Sequence, residues 1–97
     1  MNDAQKLELF NGLVRVVRPA FYDYKDASSL DVSLKDTGLD SLDMVMMGIY
    51  LSSLYGVPES VAKDFAPETI GQFFELNETH KTQEPPATAS EALEMVK

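Results

Sequence analysis

From Met44 to Pro58 the chain carries no charged residue. That stretch restricts the possible folds more than any other, because both of its ends are marked. Asp40 is a good N-cap residue, and Asp43, three positions on, supplies a carboxylate variant of the capping box. Gly56 is a natural C-terminal stop, and Pro58 prevents continuation. The predicted element is a helix from Ser41 to about Tyr55. At 100° per residue, Met44, Met47, Leu51, Leu54 and Tyr55 share one face. Leu42, Val45, Met46, Ile49 and Tyr50 occupy the other side, and only Asp43, Ser52 and Ser53 interrupt the apolar surface. Such a helix is either buried all round or keeps an apolar side for a partner. A chain of 97 residues has too small a core to cover every side of one helix. Part of Val45, Met46, Ile49 and Tyr50 is therefore expected to be exposed as a docking surface.

The rest of the chain reads as helices around this one. Asn2 and Gln5 open a helix as a capping box, and Leu7, Phe10, Leu13, Val14 and Val17 recur along one face. Gly12 weakens that helix by about 1 kcal/mol relative to alanine, and Pro19 disfavours helical geometry at Arg18 and ends it. A long connection follows, from Pro19 to Asp40. Loops of that length are uncommon in small domains unless functional or packed down, and Phe21, Tyr22, Tyr24, Leu30, Val32, Leu34 and Leu39 are candidate anchors. A short helix is expected over Pro58–Asp64, with Val61 and Phe65 inward. A last one begins at Pro67 and Glu68 and carries Ile70, Phe73, Phe74 and Leu76. Gly71 within it permits the close approach of a neighbouring element. The fold class is all-α: a four-helix bundle of three longer helices and one short, with a long loop between helices 1 and 2. Residues 1–79 form the domain. Residues 80–97 are expected to be a flexible C-terminal tail, in which 90–96 could form two turns of helix too short to stand alone.

Chemistry concentrates at the start of the central helix. Gly38 permits a turn, and Ser41 falls at the first helical position, beside unpaired backbone N–H groups and the positive end of the helix dipole. A phosphate attached there is electrostatically welcome. Acids flank the site, so it suits a phosphate installed covalently better than one captured from solution. Sixteen acidic against eight basic residues, a formal charge of -8, disfavours nucleic acid and anionic membranes as partners. The absence of cysteine excludes disulfides, zinc-thiolate sites and a cysteine nucleophile. With no signal peptide or membrane-spanning run visible, the default expectation is a cytoplasmic location. A hydrolase reading of Ser41 fails: there is no Gly-x-Ser-x-Gly elbow, and the lone histidine, His80, is remote. Asp36, Asp40 and Asp43 miss the calcium-loop spacing, so no metal is expected.

Gly38-Leu39-Asp40-Ser41-Leu42, continued by Asp43 and Val45 and followed by Val57-Pro58, resembles the acyl carrier protein family. The resemblance covers about Asn2 to about Glu78 in order and spacing. It implies an acyl-carrier-like bundle that is not itself an enzyme, with 4'-phosphopantetheine attached to Ser41. A phosphopantetheinyl transferase would install that group from coenzyme A, assisted by Asp40 and Leu42. Its thiol would carry acyl intermediates between an acyl-loading ligase or synthase and the later enzymes of a fatty-acid, polyketide or related pathway. A monomer without membrane insertion is expected. Docking would involve Asp43, Val45, Met46, Ile49 and Tyr50. The chain departs from the family at Thr37, where an apolar residue is usual, and at Met46, where fatty-acid carriers have a glutamate read by basic enzyme patches. Ser52 and Ser53 also stand where further acids are common. These departures favour a specialised pathway with more hydrophobic docking. An aminoacyl or peptidyl carrier, and a helical interaction module that is never modified, are the alternatives.

Overall fold

In the computed structural model, which describes residues 1–96, five helices follow in order with no strand among those residues: α1 (Asp3–Val17), α2 (Ser41–Tyr55), α3 (Glu59–Ala62), α4 (Ile70–His80) and α5 (Ala89–Val96). The all-α expectation holds, with one helix more than four. A 3-10 turn, Leu34–Thr37, interrupts the long connection between α1 and α2.

α2 has the expected bounds because both ends are chemically closed. At the start, Asp40 and Asp43 exchange side-chain-to-backbone bonds. At the end, Gly56 adopts φ 68°, a left-handed conformation that side-chain-bearing residues rarely take. Met47, Leu51, Leu54 and Tyr55 are buried, as the wheel predicted. They join Leu9, Phe10, Leu13 and Val14 of α1 and Ile70, Phe73 and Phe74 of α4 in one core. α2 packs on α1, α3 and α4 and is the central element. On α1 the buried face differs slightly from the one expected. Leu9 is fully buried, whereas Leu7 and Val17 are half-buried at the margins.

The loop before α2 is tied down partly by polar groups. The Asn11 side chain, on α1, accepts from the Ala27 N–H at 2.9 Å and donates to the Ala27 carbonyl at 3.2 Å. Tyr24 donates its hydroxyl to the same Asn11 oxygen at 2.5 Å. Leu34 and Leu39 are buried anchors, and Phe21, Tyr24, Leu30 and Val32 pack against the core. Tyr22, also expected to anchor, is 89% exposed. A little further on, the loop caps α4: the carbonyls of Val32 and Leu30 accept from the N–H groups of Ile70 (3.1 Å) and Gly71 (2.8 Å). A Cβ on Gly71 would lie 3.2 Å from the Leu30 carbonyl oxygen, so this glycine does allow a close approach. That crossing explains why α4 starts at Ile70 rather than Pro67. Thr69 stays extended as N-cap and accepts from the Gln72 N–H at 3.1 Å. α3 is likewise shorter than expected, Glu59–Ala62: Pro58 is extended and serves as its N-cap, and at the other end the bonds tighten to three-residue turns, from the Asp64 N–H to the Val61 carbonyl at 3.2 Å and from the Phe65 N–H to the Ala62 carbonyl at 3.0 Å.

The expectation of a flexible tail over residues 80–97 is corrected for the described part, 80–96. Residues Thr82 and Gln83 cross the C-terminal end of α2. Their N–H groups donate to the Tyr55 carbonyl at 3.0 and 3.3 Å, the Thr82 hydroxyl donates to the Gly56 carbonyl, and the Gln83 amide reaches the carbonyls of Ser53 and Leu54. Helix ends leave such carbonyls without partners, and this segment supplies them. α5 then packs on α1 with Ala89 and Ala92 fully buried. Leu93 lies over Gly12, where a Cβ would come within 2.5 Å of its Cδ1. The N-terminal capping box of α1 is half of the one expected. Asn2 accepts from the Gln5 N–H, but the Gln5 side chain accepts from the Ala89 N–H at 2.7 Å and so fastens α5 instead.

Candidate functional site

The turn before Ser41 is held from three sides. Gly38 has φ 83°, and a Cβ there would stand 3.0 Å from Cζ of Phe21, so both conformation and space call for glycine. The Thr37 hydroxyl donates to the Leu34 carbonyl at 2.6 Å and accepts from the Leu39 N–H at 3.4 Å. Thr37 thus closes the turn with its own hydrogen bonds. Leu39 points into the core.

Asp40 and Asp43 then fix the helix start: the Asp43 N–H donates to Asp40 Oδ1 at 2.8 Å, and the Asp40 N–H donates to Asp43 Oδ2 at 3.2 Å. Ser41 is the first residue of α2 and is exposed. Its hydroxyl stands at the positive end of a fifteen-residue helix. The same Asp43 Oδ2 accepts from Arg18 Nη1, at the C-cap of α1, at 3.1 Å.

Beside Ser41 the surface is apolar. Leu42, Val45 and Ile49 are 69%, 57% and 53% exposed and lie at helical spacing along α2. This exposed stripe agrees with the expectation for Val45 and Ile49. Met46 and Tyr50 are half-buried, and Tyr50 packs against the core. Asp43 is turned back into the capping box, with its side chain 13% exposed.

Ser41 also borders a groove of about 870 Å³ between α2, α3 and the loop, which Leu34, Leu39, Met44, Val57 and Phe73 line from the core side. Val45 and Ile49 belong to both the stripe and the groove wall, and Lys35, Glu59 and Lys63 add charges to the lining. One wall residue, Ser52, which interrupts the apolar surface of α2, is buried and donates its hydroxyl to Asn77 Oδ1 at 3.0 Å. Asn77 is fully buried and donates in turn to the Phe73 carbonyl at 2.9 Å. Neither Asn77 nor Asn11 was foreseen. The available signal was position: Asn77 falls four residues after Phe73 and seven after Ile70, on the buried face of α4.

His80 lies at the end of α4 with Nδ1 3.0 Å from the Leu76 carbonyl and its ring near Phe65. It plays no part in the Ser41 site. No helix among the described residues is long and apolar enough to cross a membrane. No family model, curated protein or solved structure matches this chain.

Proposed function

We propose that this chain is a carrier that bears a covalently attached phosphopantetheine on Ser41 and presents acyl groups, as thioesters of its thiol, to successive enzymes. The observation that carries the reading is the placement of Ser41: an exposed hydroxyl at the first position of a long helix, after a hydrogen-bonded turn, at the edge of an open and mostly apolar groove. The Gly38–Leu42 motif, which resembles that of acyl carrier proteins, agrees with it. A helix N-terminus favours a phosphodiester there, and the groove offers shelter to an apolar cargo. In the installing reaction the Ser41 oxygen attacks the phosphorus joined to pantetheine in coenzyme A. The new Ser–O–P bond replaces the phosphoanhydride bond, adenosine bisphosphate leaves, and the hydroxyl proton passes to a base of the transferase. The chain's own contribution is to hold the hydroxyl outward and keep cargo at high effective concentration near each active site. A fatty-acid, polyketide or related pathway would use it.

Intact-protein mass spectrometry tests this, after incubation with coenzyme A and a broad-specificity phosphopantetheinyl transferase. Wild type is expected to gain one phosphopantetheine and Ser41→Ala none. The exposed stripe of Leu42, Val45 and Ile49 also favours a second reading, an interaction module that is never modified. A folded wild type that gains no mass would support that one instead.

A further inference from the structure

Arg18 reaches the Ser41 site from another helix. It is the C-cap of α1, immediately before Pro19, and its side chain bridges 25 positions of sequence to Asp43 at 3.1 Å. Its guanidinium also lies 4.6 Å from the centroid of the Phe21 ring, and Phe21 is the side chain that closes over Gly38. One residue therefore touches both halves of the turn that presents Ser41.

We propose that Arg18 is a specificity-determining residue, which withdraws Asp43 from partner enzymes and leaves the face of α2 that follows Ser41 to be read by apolar contact. The inference rests on the carrier reading and goes further, because it concerns which partners can engage. Three observations combine. Asp43 Oδ2 is doubly engaged, by Arg18 and by the Asp40 N–H, and its side chain is 13% exposed. No charged residue occurs from Met44 to Pro58. The exposed side chains that follow Ser41 along α2 are Leu42, Val45, Ile49 and Ser53, none of them charged. A partner bringing a lysine or arginine to Asp43 would have to displace a guanidinium already in place, whereas a partner bringing apolar side chains meets no such competitor. Asp40 stays exposed at the cap, but past it the chain's net charge of -8 is not expressed along this helix, and docking on that face is governed less by charge steering than by burial.

The experiment measures KM and kcat for Ser41 modification by a broad-specificity phosphopantetheinyl transferase from low to high salt. The range takes the screening length from about 30 Å at 0.01 M to about 3 Å at 1 M. Wild type, Arg18→Gln, Arg18→Lys and Arg18→Gln/Asp43→Asn are compared, each checked by thermal unfolding. Freeing Asp43 in Arg18→Gln is expected to make KM rise with salt at least about threefold more than in wild type, with kcat little changed. Arg18→Lys should restore the wild-type profile, and adding Asp43→Asn should remove the new salt dependence. Parallel salt profiles for wild type and Arg18→Gln would overturn the proposal. So would a KM raised equally at every salt concentration together with a lowered Tm, which is the signature of a merely structural ion pair. A folded wild type that is never modified would remove the carrier reading itself, and this inference with it.

Discussion

Gly38 is the residue at which one added methyl group should disturb the site most. Its φ of 83° costs an ordinary residue about 1–2 kcal/mol, and the new Cβ would press on Phe21 at 3.0 Å. Gly38→Ala is expected to lower Tm by roughly 4–16 °C, at about 4–8 °C per kcal/mol for a domain of this size, and to slow modification of Ser41 because the turn before it must shift. Unchanged unfolding and unchanged modification would show that the turn tolerates a side chain. At this scale the sequence was legible wherever a residue type has one dominant use. Gly38, Asp40 and Gly56 act as expected, since left-handed backbone and N-caps are read from residue identity. Asn11 and Asn77 were not legible. A buried asparagine looks in sequence like an interruption of an apolar stripe, and only the fold shows that Ala27, or Ser52 and Phe73, satisfy its amide.

Among the helices, α2 could be bounded to the residue because its caps lie within its own sequence, whereas α5 could not be recognised as a packed element. Eight residues cannot sustain a helix alone. α5 is held by features far upstream in the sequence: the notch at Gly12, which Leu93 fills, and the Gln5 side chain, which accepts from the Ala89 N–H. Two variants separate its contribution from that of the segment before it. Ala92→Lys places a charge at a fully buried position and should detach α5 while leaving Thr82 and Gln83 on the end of α2. A chain ending at Lys81 loses both. Thermal unfolding should therefore rank wild type above Ala92→Lys, and Ala92→Lys above the shortened chain, with hydrogen exchange in the last turn of α2 accelerated only in the shortened one. Equal stability of all three would show that residues 82–97 add nothing to the fold. Acid should loosen the same junction. Burial pushes the Glu78 carboxyl up, but the hydrogen bond and charge of Lys81 outweigh it, so its pKa lies below the ordinary 4.5. The stabilisation is therefore present above the ordinary value and is lost as pH falls through the lower folded one.

For the molecule as a whole, the groove is where separate elements meet in one property. α2 gives it Met44, Val45 and Ile49, the segment after α3 gives Phe65, the loop gives Leu34 and Leu39, and α4 gives Phe73. Four of the five helices and the central place of α2 could be argued from periodicity, but a groove is a gap between elements, and no periodicity reports the distance between them. On the carrier reading, cargo tethered to Ser41 can turn into this space, and each methylene it shelters is worth about 0.8 kcal/mol of transfer free energy. Ligation that favours the folded state raises the unfolding temperature. A series of carriers loaded with progressively longer acyl chains should therefore show Tm rising with chain length, then levelling once the apolar walls are covered. Substituting Ile49→Asp, on the groove wall but partly exposed, should flatten the rise while changing the unloaded protein far less. A Tm independent of chain length in wild type would place the cargo outside the groove and leave this space to a partner enzyme.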